Sequence, residues 1–208
     1  MSRLRYNRRE AVEYLRNQCG PLREFIDDCG GLKLKVRRES DLFDALARAI
    51  VYQQLSGKAA ATIHGRFTSL FTDSSSAAEQ TMRLSLQQLR SVGLSRNKGL
   101  AILDLAEKSL DGSIASERQM AGMDDRQVIE NLCHVRGIGP WTAQMLLIFN
   151  LGRPDVMPST DLGVQKGAQA VYCMRKLPDP EQLMRKTRHL APYRSAASWY
   201  FWRAADAA

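Results

Sequence analysis

The apolar positions of this sequence recur at intervals of three and four residues along most of the chain. This spacing places them on one face of a helix and predicts a series of amphipathic helices. Residues 32–36 instead alternate apolar and polar side chains, and so short a segment predicts an extended linker rather than a sheet. We therefore expect an all-α fold of about ten short helices, and the length of the chain suits either one large domain or two lobes around a cleft.

Polar residues and prolines mark where these helices begin. Ser85 and Gln88 have the spacing of a capping box, and Asp179 precedes a proline, which is favoured in the first helical position. The polar run at residues 73–76 predicts a loop. Further helix starts are predicted at or close to a set of residues, namely Asn7, Pro21, Ser40 or Asp41, Lys58, Ser95, Asp124, Gly139, Asp161 and Pro192.

The chain has 208 residues, a formal net charge of +8 and an isoelectric point near 9.6. An excess of positive charge favours a polyanionic partner, nucleic acid before membrane, and solubility alone is the alternative explanation. The most apolar stretch, residues 143–151, is too short to span a bilayer, and the basic N-terminus leads into no apolar run. We expect a cytoplasmic protein, associated with the nucleoid if it is bacterial.

The cysteines do not form a metal-binding pattern. They are widely scattered, and their spacing fits neither a zinc site nor an iron–sulfur cluster. We expect free thiols in a reducing compartment. The four cysteines are Cys19, Cys29, Cys133 and Cys173.

The most informative motif is a glycine hairpin in front of an apolar helix. Gly137 and Gly139 permit a positive φ and leave no side chain in the way of a ligand, and Ile138 between them can pack against both helices. The amides of Gly139, Trp141 and Thr142 would face an anion that the helix dipole favours. Such a hairpin grips a DNA phosphate independently of base sequence, whereas a bare Gly-x-Gly is equally compatible with a simple tight turn.

Around this hairpin the chain resembles the helix–hairpin–helix–GPD superfamily of DNA glycosylases. Residues 132–143 (LCHVRGIGPWTA) are similar to its hairpin, and residues 158–161 (PSTD) to its Gly/Pro-rich loop and essential aspartate. Residues 49–56 (AIVYQQLS) and 191–195 (APYRS) are similar to the AlkA-like 3-methyladenine DNA glycosylase branch. The resemblance spans about residues 41–202.

The resemblance implies a single helix–hairpin–helix glycosylase unit over residues 1–208. One lobe would consist of roughly residues 38–150 and contain the hairpin, and residues 1–37 together with 151–208 would form the other. Compared with the longer family members, we expect the N-terminal β domain to be absent.

Asp161 lies twenty residues after Trp141, at a predicted helix start. In isolation it would be interpreted as an N-cap, and this remains the alternative. The resemblance implies that Asp161 is the catalytic aspartate. Breaking an N-glycosidic bond builds positive charge on the sugar, which a fixed carboxylate stabilises while it orients a water molecule. A purine alkylated at N3 or N7 is already cationic, so a strong general acid is unnecessary.

Superfamily members that also cleave the strand carry a nucleophilic lysine directly after the hairpin. This chain has Trp141 there, so the resemblance implies a monofunctional hydrolase without lyase activity. No cofactor is expected for catalysis, and no iron–sulfur cluster. The resemblance also implies one monovalent cation, Na⁺ or K⁺, on the backbone carbonyls of Cys133, Val135 and Ile138.

Aromatic side chains are the candidate walls of a pocket for an electron-deficient base. Trp141 is one candidate, and Trp202 matches a pocket tryptophan of the family, with ordinary core packing as its alternative. Tyr52 is equally compatible with pocket and with packing. Because the base has to leave the stack, a side chain must fill its place. Gln54 or its neighbour Leu55 is the candidate wedge, with a plain helix C-terminus as the alternative.

The partner that these features predict is double-stranded DNA containing damaged bases, bound by a monomer away from membranes. Lys98 is the basic side chain that best fits a further phosphate contact. The leading hypothesis is a glycosylase for 3-methyladenine, 7-methylguanine and ethenoadenine that flips the base and leaves an abasic site. The alternatives are another lesion specificity in the same superfamily and a non-catalytic DNA-binding module.

Overall fold

The computed structural model describes residues 4–18, 20–37 and 41–207. Regular structure in these residues is entirely helical, which confirms the predicted all-α fold, and residues 32–37 have no regular structure. The described helices, apart from a 3-10 turn at Arg188–Leu190, are α1 (Arg8–Gln18), α2 (Gly20–Cys29), α3 (Leu42–Tyr52), α4 (Gly57–Thr68), α5 (Ala77–Met82), α6 (Leu86–Ser91), α7 (Arg96–Leu110), α8 (Glu117–Met120), α9 (Asp125–Leu132), α10 (Pro140–Phe149), α11 (Leu162–Val171), α12 (Pro180–Lys186) and α13 (Arg194–Ala207).

The chain divides into two compact units, which we describe separately. The terminal unit consists of Met1–Arg38 and Gln144–Ala208, and the central unit is Glu39–Ala143. The division falls within α10, so the first turn of this helix belongs to the central unit and the remainder to the terminal unit. No helix among the described residues is long and apolar enough to cross a membrane.

Side-chain caps define most helix starts where the sequence predicted them. Ser85 and Gln88 form a reciprocal capping box, and Asp179 caps α12 with Pro180 in its first turn. Asp41 caps α3 by accepting a hydrogen bond from the amide of Asp44 at 2.9 Å. The alternative cap Ser40 lies outside the described residues, as does Cys19. The cysteines that are described, Cys29, Cys133 and Cys173, are free thiols.

Two short helices, α5 and α8, were not predicted. Ser76 caps α5 in a box with Glu79, directly after the predicted loop, and Ser116 caps α8 in a box with Gln119. These helices have six and four residues, so neither is long enough to show a helical period in its apolar positions. The serine-to-acid or serine-to-amide spacing was the signal that would have located them.

The core of the terminal unit is built on a close approach of α11 and α13. Gly167 faces the backbone of α13, and a Cβ at this position would lie 1.7 Å from the carbonyl oxygen of Phe201. Phe201 and Tyr200 are fully buried in this core. Two helices can pack this closely only where one of them has no side chain, so Gly167 fixes their separation.

The core of the central unit is formed by the apolar faces of α3 and α7. Leu46 and Ile50 on α3 are completely buried, as are Ile102 and Leu105 on α7. Burial of side chains of this size stabilises the fold by about 1.5–3 kcal/mol each. Helix α7 is therefore a rigid support for the segments that its polar side chains contact.

Replacing Gly167 by alanine tests the close approach of α11 and α13. The added Cβ would overlap a backbone carbonyl, which cannot rotate away as a side chain can. We expect Gly167→Ala to lower the free energy of unfolding by about 1–3 kcal/mol or more, measured by chemical denaturation.

Gly65→Ala is the matched control, because Gly65 lies within α4 and a Cβ there would meet no atom within 4 Å. Its unfolding free energy should stay the same or rise by up to about 1 kcal/mol. Equal effects of the two substitutions would contradict the packing described for α11 and α13.

Candidate active site

The hairpin between α9 and α10 has a left-handed backbone at only the first of its two glycines. Gly137 has a φ of 78°, whereas Gly139 has no positive φ. A Cβ at Gly139 would meet no atom within 4 Å, so the protein itself does not require glycine there. Ile138 is buried, and its amide donates to the carbonyl of Val135 at 3.0 Å. The hairpin therefore uses the positive φ that glycine permits at Gly137 and does not use it at Gly139.

Helix α10 begins at Pro140, immediately after the hairpin. The first amides of an α-helix have no carbonyl partner within the helix, and the dipole makes this end electropositive. Thr142 is buried in the first turn, whereas Trp141 beside it is 42% exposed. The hairpin thus combines a helix N-terminus with an exposed aromatic ring.

A partly buried ion pair on α7 clamps the hairpin loop. The Asp104 carboxylate accepts a hydrogen bond from the amide of Arg136 at 2.7 Å. The Lys108 ammonium lies 2.9 Å from both oxygens of Asp104 and donates to the carbonyl of His134 at 2.6 Å. The loop is therefore fixed through one amide and one carbonyl of its own backbone, independently of packing.

The carbonyls predicted to hold a cation belong to this same loop. The Val135 carbonyl accepts one hydrogen bond, from Ile138, which leaves its second lone pair for another partner. Burial raises the pKa of the Cys133 thiol, so this side chain is a neutral thiol and offers no thiolate. Neutral carbonyl oxygens suit a hard monovalent cation, so the donor set fits the ion that the resemblance implies.

The candidate wedge lies in a tight turn after α3, which we call the 53–55 turn after its residues Gln53, Gln54 and Leu55. Gln54 has a φ of 55°, a left-handed conformation that is uncommon for a residue with a side chain. Both candidate wedge residues, Gln54 and Leu55, are exposed. Ser56 caps α4 directly afterwards, so the turn is confined between two helices.

One side chain from outside the turn contacts its backbone, and one side chain of the turn itself reaches the hairpin. The Lys98 ammonium donates to the carbonyls of Val51 and Gln53, both at 2.7 Å. The Gln53 amide donates to the carbonyl of Gly137 at 2.9 Å and lies 3.4 Å from the Thr142 hydroxyl. The ammonium group of Lys98 thus already donates to two backbone carbonyls. Its contact with a DNA phosphate stays a prediction.

Tyr52, one candidate wall of the base pocket, is half-buried and has one ring face covered. The Arg48 guanidinium lies over the ring at 4.0 Å from its centroid, and the His64 ring packs edge-on at 6.3 Å. A ring that already binds a cation on one face is a poor platform for a second cationic group. The structure therefore favours the packing interpretation of Tyr52.

In the terminal unit, Asp161 is the N-cap of α11. Its Oδ1 accepts the amide of Val164 at 2.8 Å and also the indole Nε1 of Trp202 at 2.8 Å. The capping interpretation and the catalytic one are thus compatible, because one carboxylate oxygen does the capping. Two fixed donors on this oxygen hold the plane of the carboxylate.

Trp202 is held in place from two further sides. Phe149 stacks on its ring at a centroid distance of 5.5 Å, and the Arg37 guanidinium lies 5.1 Å from the Phe149 centroid. Gly163 allows the indole to approach, since a Cβ there would lie 2.9 Å from Cδ1 of Trp202 and 3.1 Å from Oδ1 of Asp161. The Trp202 side chain is therefore only partly buried and is fixed by its neighbours. Its indole N–H donates to the carboxylate of Asp161.

The segment that leads to Asp161 is anchored on α13, the helix that carries Trp202. Asp155 forms a two-pronged ion pair with Arg194, with both N–O distances 2.7 Å. The buried Ser195 accepts the amide of Val156 at 3.0 Å, and its own amide donates to the carbonyl of Pro154 at 3.0 Å. These bonds give the carboxylate and the indole a common support.

Several residues that shape these sites were not predicted from the sequence. Each acts across a long separation in the chain, which a single sequence does not reveal. The four-residue spacing of Gly163 and Gly167 within a helix was a usable signal of close helix packing. The remaining unpredicted residues are Gln53, Asp104, Lys108 and Phe149.

Comparison with known proteins identifies one family and several similar proteins. A model of the HhH-GPD superfamily of base excision DNA repair proteins matches residues 47–192. DNA-3-methyladenine glycosylase 1 of Schizosaccharomyces pombe is 33% identical over 162 residues, which cover 77% of this chain and 71% of the relative.

Solved structures are similar over almost the whole chain. A DNA-3-methyladenine glycosidase from Bacillus halodurans superimposes with a TM-score of 0.84 at 35% identity, covering 94% of this chain and 88% of the other. The 3-methyladenine DNA glycosylase of Schizosaccharomyces pombe, in complex with abasic DNA, gives a TM-score of 0.83 at 29% identity, covering 93% and 95%.

Replacing Gly163 by alanine tests the contact between Trp202 and Asp161. The Cβ would displace the indole ring and break its hydrogen bond to the carboxylate. A hydrogen bond to a charged group contributes about 1.5–3 kcal/mol, so we expect the indole N–H of Trp202 to exchange with solvent about tenfold faster or more. The ¹H–¹⁵N cross-peak of this indole N–H reports both its chemical shift and its exchange rate.

Gly31→Ala is the control in the same unit, because a Cβ there would meet no atom within 4 Å. It should leave the Trp202 cross-peak where it is. A Gly163→Ala spectrum in which that cross-peak and its exchange are unchanged would show that the glycine does not govern the contact.

Proposed function

The chain belongs to the HhH-GPD superfamily of base excision DNA repair proteins, and we propose that it is a DNA glycosylase for alkylated purines. The resemblance predicted from the sequence is confirmed, both for the superfamily and for its AlkA-like 3-methyladenine DNA glycosylase branch. The protein hydrolyses the N-glycosidic bond of a damaged nucleotide in double-stranded DNA and leaves an abasic site. Its first substrate is 3-methyladenine, and 7-methylguanine and ethenoadenine are further ones. The Asp161 carboxylate, fixed by Trp202, carries this proposal.

Asp161 acts on the sugar rather than on the base. As the bond to the base breaks, positive charge develops on the sugar ring, and a nearby carboxylate stabilises it. The carboxylate is oriented before the substrate binds, because the Val164 amide and the Trp202 indole both donate to Oδ1. An N3- or N7-alkylated purine leaves as a neutral base, so its release needs no strong general acid.

Aromatic rings bind the damaged base after it leaves the stack. Trp202 carries Phe149 on its ring and lies against the carboxylate, so a base beside Trp202 would have its glycosidic bond close to Asp161. Trp141, which lies in the central unit, is exposed, and its part in binding the base stays a prediction. A cationic alkylated purine interacts more favourably with these electron-rich faces than a normal base does. The rings therefore favour damaged over undamaged purines.

The hairpin grips the DNA backbone. The amides at the start of α10 and the open space at Gly139 let a phosphate approach the main chain, with Gly137 supplying the turn that aims them. The carbonyls of Cys133, Val135 and Ile138 would hold one monovalent cation, which would add positive charge behind the phosphate. Catalysis itself requires no cofactor.

The protein leaves the DNA strand intact. Trp141 occupies the position directly after the hairpin where bifunctional members carry a lysine, and an indole cannot form a Schiff base with the sugar. Hydrolysis by water is therefore the proposed route, and its product is an abasic site.

Methylated duplex DNA tests this function when wild-type protein and Asp161→Asn are compared. Wild type should release free 3-methyladenine, measured by chromatography, and the strand should break only after alkaline treatment. Asparagine keeps the helix cap but removes the negative charge, so base release should fall by about 100-fold or more.

Asp179→Asn is the control, because Asp179 is likewise an N-cap, at α12, and asparagine caps a helix equally well. It should retain full activity. The proposal fails if the wild type releases no base from methylated DNA. The assigned role of Asp161 fails if Asp161→Asn is as fast as the control, and strand breakage without alkali would refute the monofunctional mechanism.

A further inference from the structure

The 53–55 turn is held mainly by polar contacts rather than by packing. Beside it lies a pocket of about 230 Å³, lined in part by the turn itself and by Ile63, Leu94 and Lys98. Gln54 is left-handed, a conformation that costs free energy for a residue with a side chain. A turn with open space beside it and a strained residue at its centre needs other contacts to keep one shape.

Lys98 supplies the first of these contacts. Its ammonium, at the start of α7, bridges the carbonyls of Val51 and Gln53, each at 2.7 Å. These carbonyls lie at the C-terminus of α3, where the helix dipole is negative and where carbonyls lack helical partners. Burial lowers the pKa of Lys98 from its usual value. The ammonium is thus partly withdrawn from solvent and serves as a cap for α3.

Gln53 supplies the second contact and reaches a different functional element. Its side-chain amide donates to the carbonyl of Gly137 at 2.9 Å and approaches the hydroxyl of Thr142 at 3.4 Å. Gly137 is the turn residue of the hairpin, and Thr142 lies in the first turn of α10. The same residue whose carbonyl is held by Lys98 therefore holds the hairpin with its side chain.

We propose that Lys98 and Gln53 are positioning residues that couple the 53–55 turn to the hairpin. This inference rests on the proposed function. When the hairpin binds a phosphate, the coupling sets the turn at a fixed place beside the duplex, so the turn enters the space of the displaced base in register. Lys98 thereby acts on the protein's own backbone and not on a DNA phosphate. Neither residue touches the damaged nucleotide.

The test separates DNA binding from insertion of the turn. The probe is a duplex that carries a tetrahydrofuran abasic analogue with 2-aminopurine next to it. Fluorescence anisotropy measures affinity, and the rise in 2-aminopurine fluorescence measures loss of stacking. The variants are Gln53→Glu, which replaces the donor amide by a carboxylate of equal size, and Lys98→Met. The controls are Gln87→Glu and Lys176→Met, which change exposed side chains.

Both variants should bind the probe with nearly wild-type affinity and lose most of the fluorescence rise. The logarithm of the binding constant of Lys98→Met should depend on the logarithm of salt concentration with the wild-type slope. A phosphate contact would instead reduce that slope by about 1. Thermal unfolding of each variant shows that the fold is retained, and the half-exposed Gln53 keeps the test available if Lys98→Met does not fold.

The coupling is refuted if the variants keep the full fluorescence rise, if affinity and fluorescence fall together, or if the salt slope of Lys98→Met decreases by about 1. The coupling is also refuted if the wild-type protein binds the probe without any rise in fluorescence. That outcome leaves the proposed function intact, because the protein can still release bases from methylated DNA. Wild type that does not bind the probe, and releases no base from methylated DNA, would refute the proposed function itself.

Discussion

The close approach of α11 and α13 is the constraint on which the geometry of the proposed catalytic group depends. Gly163 and Gly167 are four residues apart and lie on one face of α11. At these positions a Cβ would lie 2.9 Å from the Trp202 ring and 1.7 Å from the Phe201 carbonyl oxygen. Because α13 packs this close, the indole of Trp202 reaches the carboxylate that caps α11. The same packing that builds the core of the terminal unit therefore orients the proposed catalytic group.

Helix α7 has the corresponding role in the central unit. Its core-facing residues are buried, and its polar residues hold two loops by their backbones. Asp104 and Lys108 fix the hairpin loop, and Lys98 fixes the carbonyls at the end of α3. Gln53 then joins the two loops directly. Charged side chains are used here on the protein's own main chain, and one of them, Asp104, accepts the amide of Arg136 in the hairpin loop.

Local chemistry made much of this structure predictable, and long-range contacts did not. The caps at Ser85 and Asp179, the left-handed Gly137 and the helix that starts after Asp161 follow from the preferences of a few adjacent residues. Helix α5 shows the limits, because a helix of six residues is too short to show a period in its apolar positions. The Trp202 contact spans 41 residues and the Gln53 contact 84, and a helical pattern carries no information on such pairs.

The most direct test of this account is the single-turnover rate constant of base release by Trp202→Phe from duplex DNA that contains 3-methyladenine. Phenylalanine keeps an aromatic ring against Phe149 but removes the N–H that fixes Asp161. A hydrogen bond to a charged group contributes about 1.5–3 kcal/mol, so the rate constant should fall by about 10- to 100-fold while affinity for abasic DNA stays the same. An unchanged rate constant in a folded variant would contradict the claim that the indole orients the carboxylate.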